Sequence, residues 1–139
     1  EALELALVSG KKVDGRSANS QRRRISENRG RWAEWLAAGL LICKGYQILS
    51  RRVKTPFGEI DLIAHRGHRV AFVEVKYRKD FASDTQPITR RQSERIAKAA
   101  DYWLWRQKNF RDHRMGLDCV LISPAGLPRH IPDALQPTT

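Results

Sequence analysis

Apolar residues recur at helical spacing over residues 26–44 of the chain. The most prominent stripe consists of large apolar residues three or four positions apart: Trp32, Leu36, Leu40 and Cys43. A neighbouring stripe is made mostly of small residues: Ala33, Ala37 and Leu41. The pattern predicts an amphipathic helix. Glu34 lies beside the small-residue stripe and away from Trp32, and the alanines would let the helix approach the sheet closely, with Glu34 directed toward it. Ser26 is suited to cap its start, and Gly45 to end it in a left-handed turn.

Alternating apolar and polar residues indicate strands in the rest of the chain. Four are predicted: residues 46–53, 59–65, 69–77 and 115–122. Thr55–Gly58 forms a turn between the first two, and residues 129–135 add a short strand or a helical turn. Between the third and fourth strands the periodicity becomes helical again.

This second helix is predicted to run from Thr89 to about Asn109. Thr89 and Gln92 have the spacing of a capping box. The core face consists of residues at helical spacing: Ile96, Ala99, Ala100, Trp103 and Phe110. Tyr102 and Trp105 lie off that face, and we expect both to be partly buried. The order α-β-β-β-α-β predicts an α/β domain with a mixed sheet flanked by helices.

Length and charge narrow the class of protein. The 139 residues, 41% of them hydrophobic, suit a single folded domain. Residues 1–25 lack periodicity and are expected to form a mobile basic extension, and residues 26–139 the domain. The net charge is +11, of which +8 belongs to the domain. This excess favours nucleic acid as the partner, then an anionic membrane surface, with an inert basic surface as the third interpretation.

The cysteines and the hydropathy indicate where the protein works. Cys43 and Cys119 belong to no Cys-x-x-Cys pair, and both are expected to be core thiols, which fits a cytoplasmic location. No apolar run reaches the roughly 18 residues of a membrane span, so we expect no membrane-spanning helix and no membrane partner.

A two-residue turn at Gly67–His68 would join the second and third strands in a hairpin. Facing residues then have numbers that sum to a constant, so Asp61 faces Glu74 and Glu59 faces Lys76. All four side chains project from one face, because side chains alternate along a strand. Cross-strand Cβ atoms are about 4.5–5.5 Å apart, and two carboxylates at that distance repel.

Three arrangements would offset the repulsion between Asp61 and Glu74: a shared proton, compensation by a lysine, or a divalent cation between them. A cation with Lys76 beside it suits hydrolysis of a phosphodiester. The alternative is a solvated polar face on which Glu59 pairs with Lys76, as hairpins often have one wet face.

Two segments carry a resemblance to a known family: Gly58–Ala64 and Phe72–Arg78. They resemble the YraN family of small bacterial proteins, which is related to archaeal Holliday-junction resolvases and the PD-(D/E)xK nucleases. The resemblance covers about residues 28–135. It also includes scattered positions: Gly30, Ala33, Glu34, Gly45, Tyr46, Ile131, Asp133 and Ala134. Ile60 replaces the class proline, and Gly116–Asp118 stands where Arg-Phe-Asp is expected.

The resemblance implies a restriction-endonuclease-like or resolvase-like core. Asp61, Glu74 and the carbonyl of Val75 would hold Mg²⁺ or Mn²⁺, Lys76 would assist the attacking water, and Glu34 would complete the acidic site. The implied function is that of a metal-dependent endonuclease acting on nucleic acid. DNA is the favoured substrate, and branched or flapped DNA is one form of it to consider. The alternative is a non-catalytic nucleic-acid-binding module with a nuclease-like fold. The resemblance leaves a homodimer open.

Basic residues after the third strand are candidates for tracking a phosphate backbone: Arg78, Lys79, Arg90, Arg91 and Arg95. The alternative for those on the second helix is an ordinary solvated face.

Overall fold

A computed structural model describes residues 30–78, 89–124 and 126–136. Its helices and strands follow the predicted order. The described helices are α1, residues 30–43, and α2, Arg90–Trp105, which is followed by a short 3-10 turn at Lys108–Phe110. The described strands are β1 Gln47–Thr55, β2 Gly58–Arg66, β3 Arg69–Tyr77, β4 Arg114–Ile122 and β5 Arg129–Ile131. The short strand predicted near the end of the chain is therefore confirmed as β5.

The strands form one mixed sheet in the order β1-β2-β3-β4-β5. All neighbours are antiparallel except β3 and β4, which are parallel because α2 carries the chain from one to the other. Both faces of the sheet are covered. Leu62, Ala64 and Val73 pack with α1, while Ile63 and Phe72 pack with α2. None of the helices in the described ranges is long and apolar enough to cross a membrane.

Helix α1 presents its small-residue stripe to the sheet, in agreement with the close approach expected from the alanines. The buried residues are Ala33, Ala37, Ala38 and Leu41. Trp32 and Cys43 are exposed, so the expectation that Cys43 is a core thiol is wrong, whereas Cys119 is buried as expected. The physical reason is distance: alanines let the helix approach the sheet closely, and tryptophan side chains would hold it away. The predicted cap Ser26 lies outside the described residues, and Gly45 has the predicted left-handed backbone, with φ of 91°.

Helix α2 begins as predicted and ends early. Thr89 and Gln92 form the capping box, and Ile96, Ala99 and Ala100 are buried. The helix stops at Trp105, four positions before the predicted end, and the following turn folds Phe110 back to stack on Trp103. Trp105 is 77% exposed, so the expected partial burial of this side chain is wrong.

The hairpin register is confirmed over five pairs, from Arg66 opposite Arg69 to Leu62 opposite Val73. Gly67 has φ of 58°, a left-handed conformation that glycine adopts without a steric penalty. The pairing ends at Leu62 and Val73, one position before the predicted pair of Asp61 and Glu74, so these two acids lie just past the paired part of the hairpin.

Candidate active site

The carboxylate of Asp61 lies between β2 and β3 at the end of their paired region. Its Oδ2 atom accepts a hydrogen bond of 2.8 Å from the backbone N–H of Val75. Val75 directly follows Glu74, so this bond fixes Asp61 next to the second acid of the predicted pair. Because its side chain is bonded to the β3 backbone, the carboxylate of Asp61 is held in one orientation.

Lys76 is bound to Glu74 on its own strand. Lys76 Nζ and Glu74 Oε1 are 3.0 Å apart, and both side chains are largely buried. The alternative prediction of a Glu59–Lys76 pair on a solvated face is wrong. Glu59 is exposed and lies opposite Lys54 on β1, whereas Glu74 is two positions from Lys76 on the same face of β3.

Glu34 approaches the same corner from α1 through a residue that the sequence analysis missed. Arg52 Nε donates a 2.8 Å hydrogen bond to Glu34 Oε2, in an ion pair in which Glu34 is the more buried partner. Arg52 belongs to β1, where Arg51 lies opposite Leu62 and Val53 opposite Ile60, so Arg52 stands at the level of Asp61. The register rule used for the Gly67–His68 turn would have found it if applied to the Thr55–Gly58 turn.

The electrostatics of the corner are dominated by uncompensated negative charge on Asp61. Burial raises the pKa of Asp61 to about 6, against the opposing effect of the Val75 N–H, and the charges of Glu74, Glu34 and Glu59 raise it further. A carboxylate with one hydrogen bond among three other acids is costly to ionise. We call Glu34, Asp61, Glu74 and Lys76, with Arg52, the acidic corner.

The donor atoms of the acidic corner fit a hard divalent cation. Among the described residues, no group of three or more His, Cys, Asp or Glu side chains has the geometry of a metal cage. Mg²⁺ does not require one, because it keeps several waters and binds through one or two carboxylates. Asp61 and Glu74 supply two carboxylates, and the carbonyl of Val75 would add a third oxygen. Oxygen-only donors suit Mg²⁺ and Mn²⁺ and disfavour softer metals.

The arginines predicted to track phosphates occupy different positions. Arg90 and Arg91 are exposed on the first turn of α2, where Arg90 also pairs with Glu94 at 3.1 Å. Arg95 lies over the β1–β2 turn, since a Cβ added to Gly58 would be 2.9 Å from its Cδ. Arg95 is therefore beside the start of the strand that carries Asp61.

Of the two further predicted phosphate-binding residues, Arg78 and Lys79, the structure describes Arg78. Arg78 follows β3, and its N–H bonds the carbonyl of Ile122 at 2.8 Å. Lys79 lies outside the described residues, as does the extension at residues 1–25.

A second group of charged side chains surrounds Asp118 on β4. Asp118 is fully buried and accepts hydrogen bonds of 2.8 and 2.6 Å from Arg69, 2.8 Å from His130 Nε2 and 2.8 Å from the N–H of Asp133. Burial alone would raise the pKa of Asp118, but these bonds outweigh it and lower the pKa to about 2. We call these residues the Asp118 cluster.

The Asp118 cluster occupies the space beside Gly116. A Cβ at Gly116 would overlap the guanidinium of Arg69, which reaches over this glycine from β3. Position 116 therefore has no room for the arginine that the resemblance led us to expect, unless Arg69 moves. The cluster joins β3, β4 and the β5 segment and has a structural role.

A family model and individual relatives both match this chain, and they indicate the same family. Residues 33–122 match the model of a family described as Uncharacterised protein family UPF0102. A UPF0102 protein of Rhodopseudomonas palustris (strain BisB18) is 47% identical over 104 residues, covering 75% of this chain and 77% of the relative. The UPF0102 protein mlr4633 of Mesorhizobium japonicum is 45% identical over 115 residues, covering 83% and 92%. The matched region contains every residue of the acidic corner, and the chain belongs to the UPF0102 family.

Proposed function

We propose that this domain is a metal-dependent endonuclease that hydrolyses phosphodiester bonds in nucleic acid, with a core of the resolvase type. The observation that carries the proposal is the placement of Asp61. Its carboxylate is fixed by the Val75 N–H, has Glu74 as its neighbour and is surrounded by negative charge. A fold that keeps such a carboxylate in place gains from a cation at that point.

Asp61 and Glu74 would hold the ion with the carbonyl of Val75, and Mg²⁺ or Mn²⁺ bound there supplies charge neutralisation and an activated water. Lys76 is held by Glu74 at 3.0 Å, within reach of the same place. Its ammonium would orient the attacking water and stabilise negative charge that develops on the phosphate. Both roles need a lysine fixed by a carboxylate, because a mobile ammonium would be a weaker electrostatic partner.

Arg52 is a positioning residue for Glu34. Its bond of 2.8 Å holds the helix carboxylate at the level of Asp61 and prevents Glu34 from turning outward. The backbone of Arg52 is left-handed, with φ of 52°, which is uncommon for a residue with a long side chain. A strained residue that is also ion-paired to a site acid is a reason to include Arg52 in the site.

We favour DNA as the substrate and the cytoplasm as the location of the protein. The net charge of +11 favours a polyanion, and Arg95 lies beside the strand of Asp61. Arg78, Arg90 and Arg91 would contact phosphates further from the scissile bond, and Lys79, which lies outside the described residues, stays a candidate for phosphate binding. The likeness to the YraN family and to Holliday-junction resolvases adds branched or flapped DNA as the form to test first.

A non-catalytic nucleic-acid-binding module is the second candidate. One observation favours it: the ion pair between Lys76 and Glu74 already balances one acid of the corner. In that case the fold would retain the acidic corner without binding a cation. The two candidates differ in their response to Mg²⁺, because only the nuclease requires the ion.

The test compares cleavage of branched, flapped, single-stranded and duplex DNA by the wild type and Asp61→Asn with Mg²⁺ or Mn²⁺. The neutral amide keeps an oxygen for the Val75 N–H but loses the charge that holds the ion, so cleavage should fall on the order of 100-fold or more. Asp101→Asn is the matched control, because Asp101 is an exposed carboxylate on α2, and it should cleave like the wild type.

Equal cleavage by wild type and Asp61→Asn, purified identically, would show a contaminating nuclease and overturn the proposal. Absence of cleavage combined with binding that ignores Mg²⁺ would establish the binding module instead. A thermal unfolding series with Mg²⁺ gives an independent measurement, since bound ligand stabilises only the folded state. The transition should rise in the wild type and stay constant in Asp61→Asn.

A further inference from the structure

Helix α1 exposes two tryptophans that its packing does not use. Trp32 and Trp35 are 50% and 63% exposed, while the alanine stripe of the same helix makes the contact with the sheet. Scattered exposed apolar residues are ordinary, but two exposed tryptophans three positions apart lie on neighbouring parts of one helix face. We call Trp32 and Trp35, with Arg51, the aromatic platform.

The aromatic platform is physically continuous with the acidic corner. The guanidinium of Arg51 lies 4.1 Å from the ring centre of Trp35. The next residue, Arg52, bonds Glu34, which stands between the two tryptophans in the sequence. One turn of α1 therefore carries both a site acid and the platform.

The left-handed backbone of Arg52 accounts for this continuity. Consecutive side chains of a regular strand point to opposite faces, so only one of Arg51 and Arg52 would be expected to reach α1. Both reach it, Arg51 at Trp35 and Arg52 at Glu34, and φ of 52° at Arg52 breaks the alternation. The unusual backbone thus places an aromatic stack and a carboxylate side by side.

We propose that the aromatic platform binds unpaired bases of a single-stranded nucleic-acid segment next to the acidic corner, and this inference rests on the proposed nuclease function. Tryptophan rings and guanidinium planes both stack on bases, and every base offers a face once it is unpaired. A duplex hides those faces within its own stack. The platform would therefore select substrates with a flap, a gap or a frayed end at the scissile phosphate.

Charge complementarity favours this occupant over a second copy of the chain. In a two-fold dimer through this face, Arg51 and its symmetry mate would lie in one interface between two chains of +11 each. A phosphate backbone brings the opposite charge to the same arginine. Proximity to the acidic corner also favours nucleic acid over an anionic membrane surface, for which the corner would have no use.

The test measures binding in excess chelator, so that it does not depend on cleavage. The probes are an oligothymidylate of about 20 nucleotides, a blunt duplex of the same length, and vesicles containing phosphatidylserine. Trp32→Ala and Trp35→Ala should each weaken oligothymidylate binding by about 5- to 100-fold and change duplex binding little. Trp35→Phe should restore most of the affinity, because the aromatic ring remains.

Trp105→Ala is the matched control, since Trp105 is 77% exposed with Arg111 over its ring at 5.6 Å but belongs to the end of α2. It should leave both affinities unchanged. Equal loss for oligothymidylate and duplex, or no loss for either, would overturn the proposal. So would a tryptophan-dependent dimer in sedimentation velocity, or vesicle binding that needs the tryptophans while oligothymidylate binding does not.

These outcomes are separable from those of the nuclease proposal. If the wild type never cleaves but both tryptophan variants lose single-strand binding, the platform proposal stands and the nuclease proposal fails. If the wild type cleaves but binds single strands independently of Trp32 and Trp35, the nuclease proposal stands and the platform proposal fails. Circular dichroism of each variant shows that the fold is intact, and the exposure of both side chains makes that outcome the expected one.

Discussion

Asp61 and Asp118 lie on strands of the same sheet, and the two carboxylates are balanced in opposite ways. Asp118 is more deeply buried, yet its pKa is lowered to about 2, because Arg69, His130 and the Asp133 N–H all donate to it. Asp61 is only partly buried, yet burial and neighbouring acids raise its pKa to about 6. Burial raises the pKa at both carboxyl groups, so burial alone does not explain why the two pKa values move in opposite directions.

The number and sign of the partners decide whether the effect of burial on the pKa is overcome: three donors overcome it at Asp118, and one N–H does not at Asp61. The difference separates a structural group from a functional one. The Asp118 cluster is complete within the chain and needs nothing from outside. In the acidic corner Arg52 pairs with Glu34 and Lys76 with Glu74, and Asp61 is the carboxylate without an ion pair of its own among the described residues. Such a carboxylate is typical of sites that bind or transform a ligand.

The largest expected effect is that of removing the charge from Asp118. Asp118→Asn leaves Arg69 and His130 facing a neutral amide in a buried place, and should lower the free energy of unfolding by about 3–5 kcal/mol. Chemical denaturation at neutral pH measures it.

The pH dependence of that variant provides a check. A lowered carboxylate pKa contributes stability above the ordinary value near 4, which is lost as the pH falls toward 2. The deficit of Asp118→Asn should therefore shrink in acid. A deficit that stays constant down to pH of about 2 would mean that the charge of Asp118 is not what stabilises the cluster.

A smaller effect is expected from Gly116→Ala, which leaves every charge in place. The added Cβ overlaps the guanidinium of Arg69, whose two bonds to Asp118 limit how far it can move. Overpacking of this kind costs about 1–3 kcal/mol, measured by denaturant unfolding. Gly39→Ala is the control, because a Cβ there meets nothing within 4 Å and should be neutral or slightly stabilising. Equal stability of the two variants would mean that Arg69 is free to move aside.

The parts of the fold that were predicted correctly depend on signals that are short in sequence. The Gly67–His68 turn fixes five hairpin pairs, and Thr89 with Gln92 fixes the start of α2. In both cases the interacting residues are neighbours in the chain or related by one turn. The same register brings Asp61 and Glu74 to the end of the paired region, and their direct pairing stays a prediction.

The wrong predictions concern positions where the local sequence fits two structural alternatives equally well. Cys43 lies on the apolar stripe that begins at Trp32, and periodicity alone does not show that both ends of this stripe are exposed. Lys76 had two acids in range, and the parting of the strands beyond Leu62 and Val73 decided for Glu74. The Asp118 cluster joins segments far apart in sequence, so no spacing rule reveals it.

The smallest expected effect is the most informative about the acidic corner, and it has the opposite sign to that of Asp118→Asn. A carboxyl group whose pKa is raised in the folded state binds its proton more tightly there than in the unfolded chain. Ionising Asp61 therefore destabilises the protein as the pH rises from about 4 through 6, and the full cost is present above 6.

Asp61→Asn removes that cost and keeps an oxygen for the Val75 N–H. In chelator at a pH of about 7.5, the variant should be more stable than the wild type by about 1 kcal/mol, since solvent screens part of the effect at a half-buried group. The advantage should disappear below a pH of about 4, where Asp61 is protonated in both states. Added Mg²⁺ should reverse the order, because it binds the wild type alone. Destabilisation by Asp61→Asn at neutral pH in chelator would show that the chain already balances this carboxylate, and the reason for expecting a cation there would be lost.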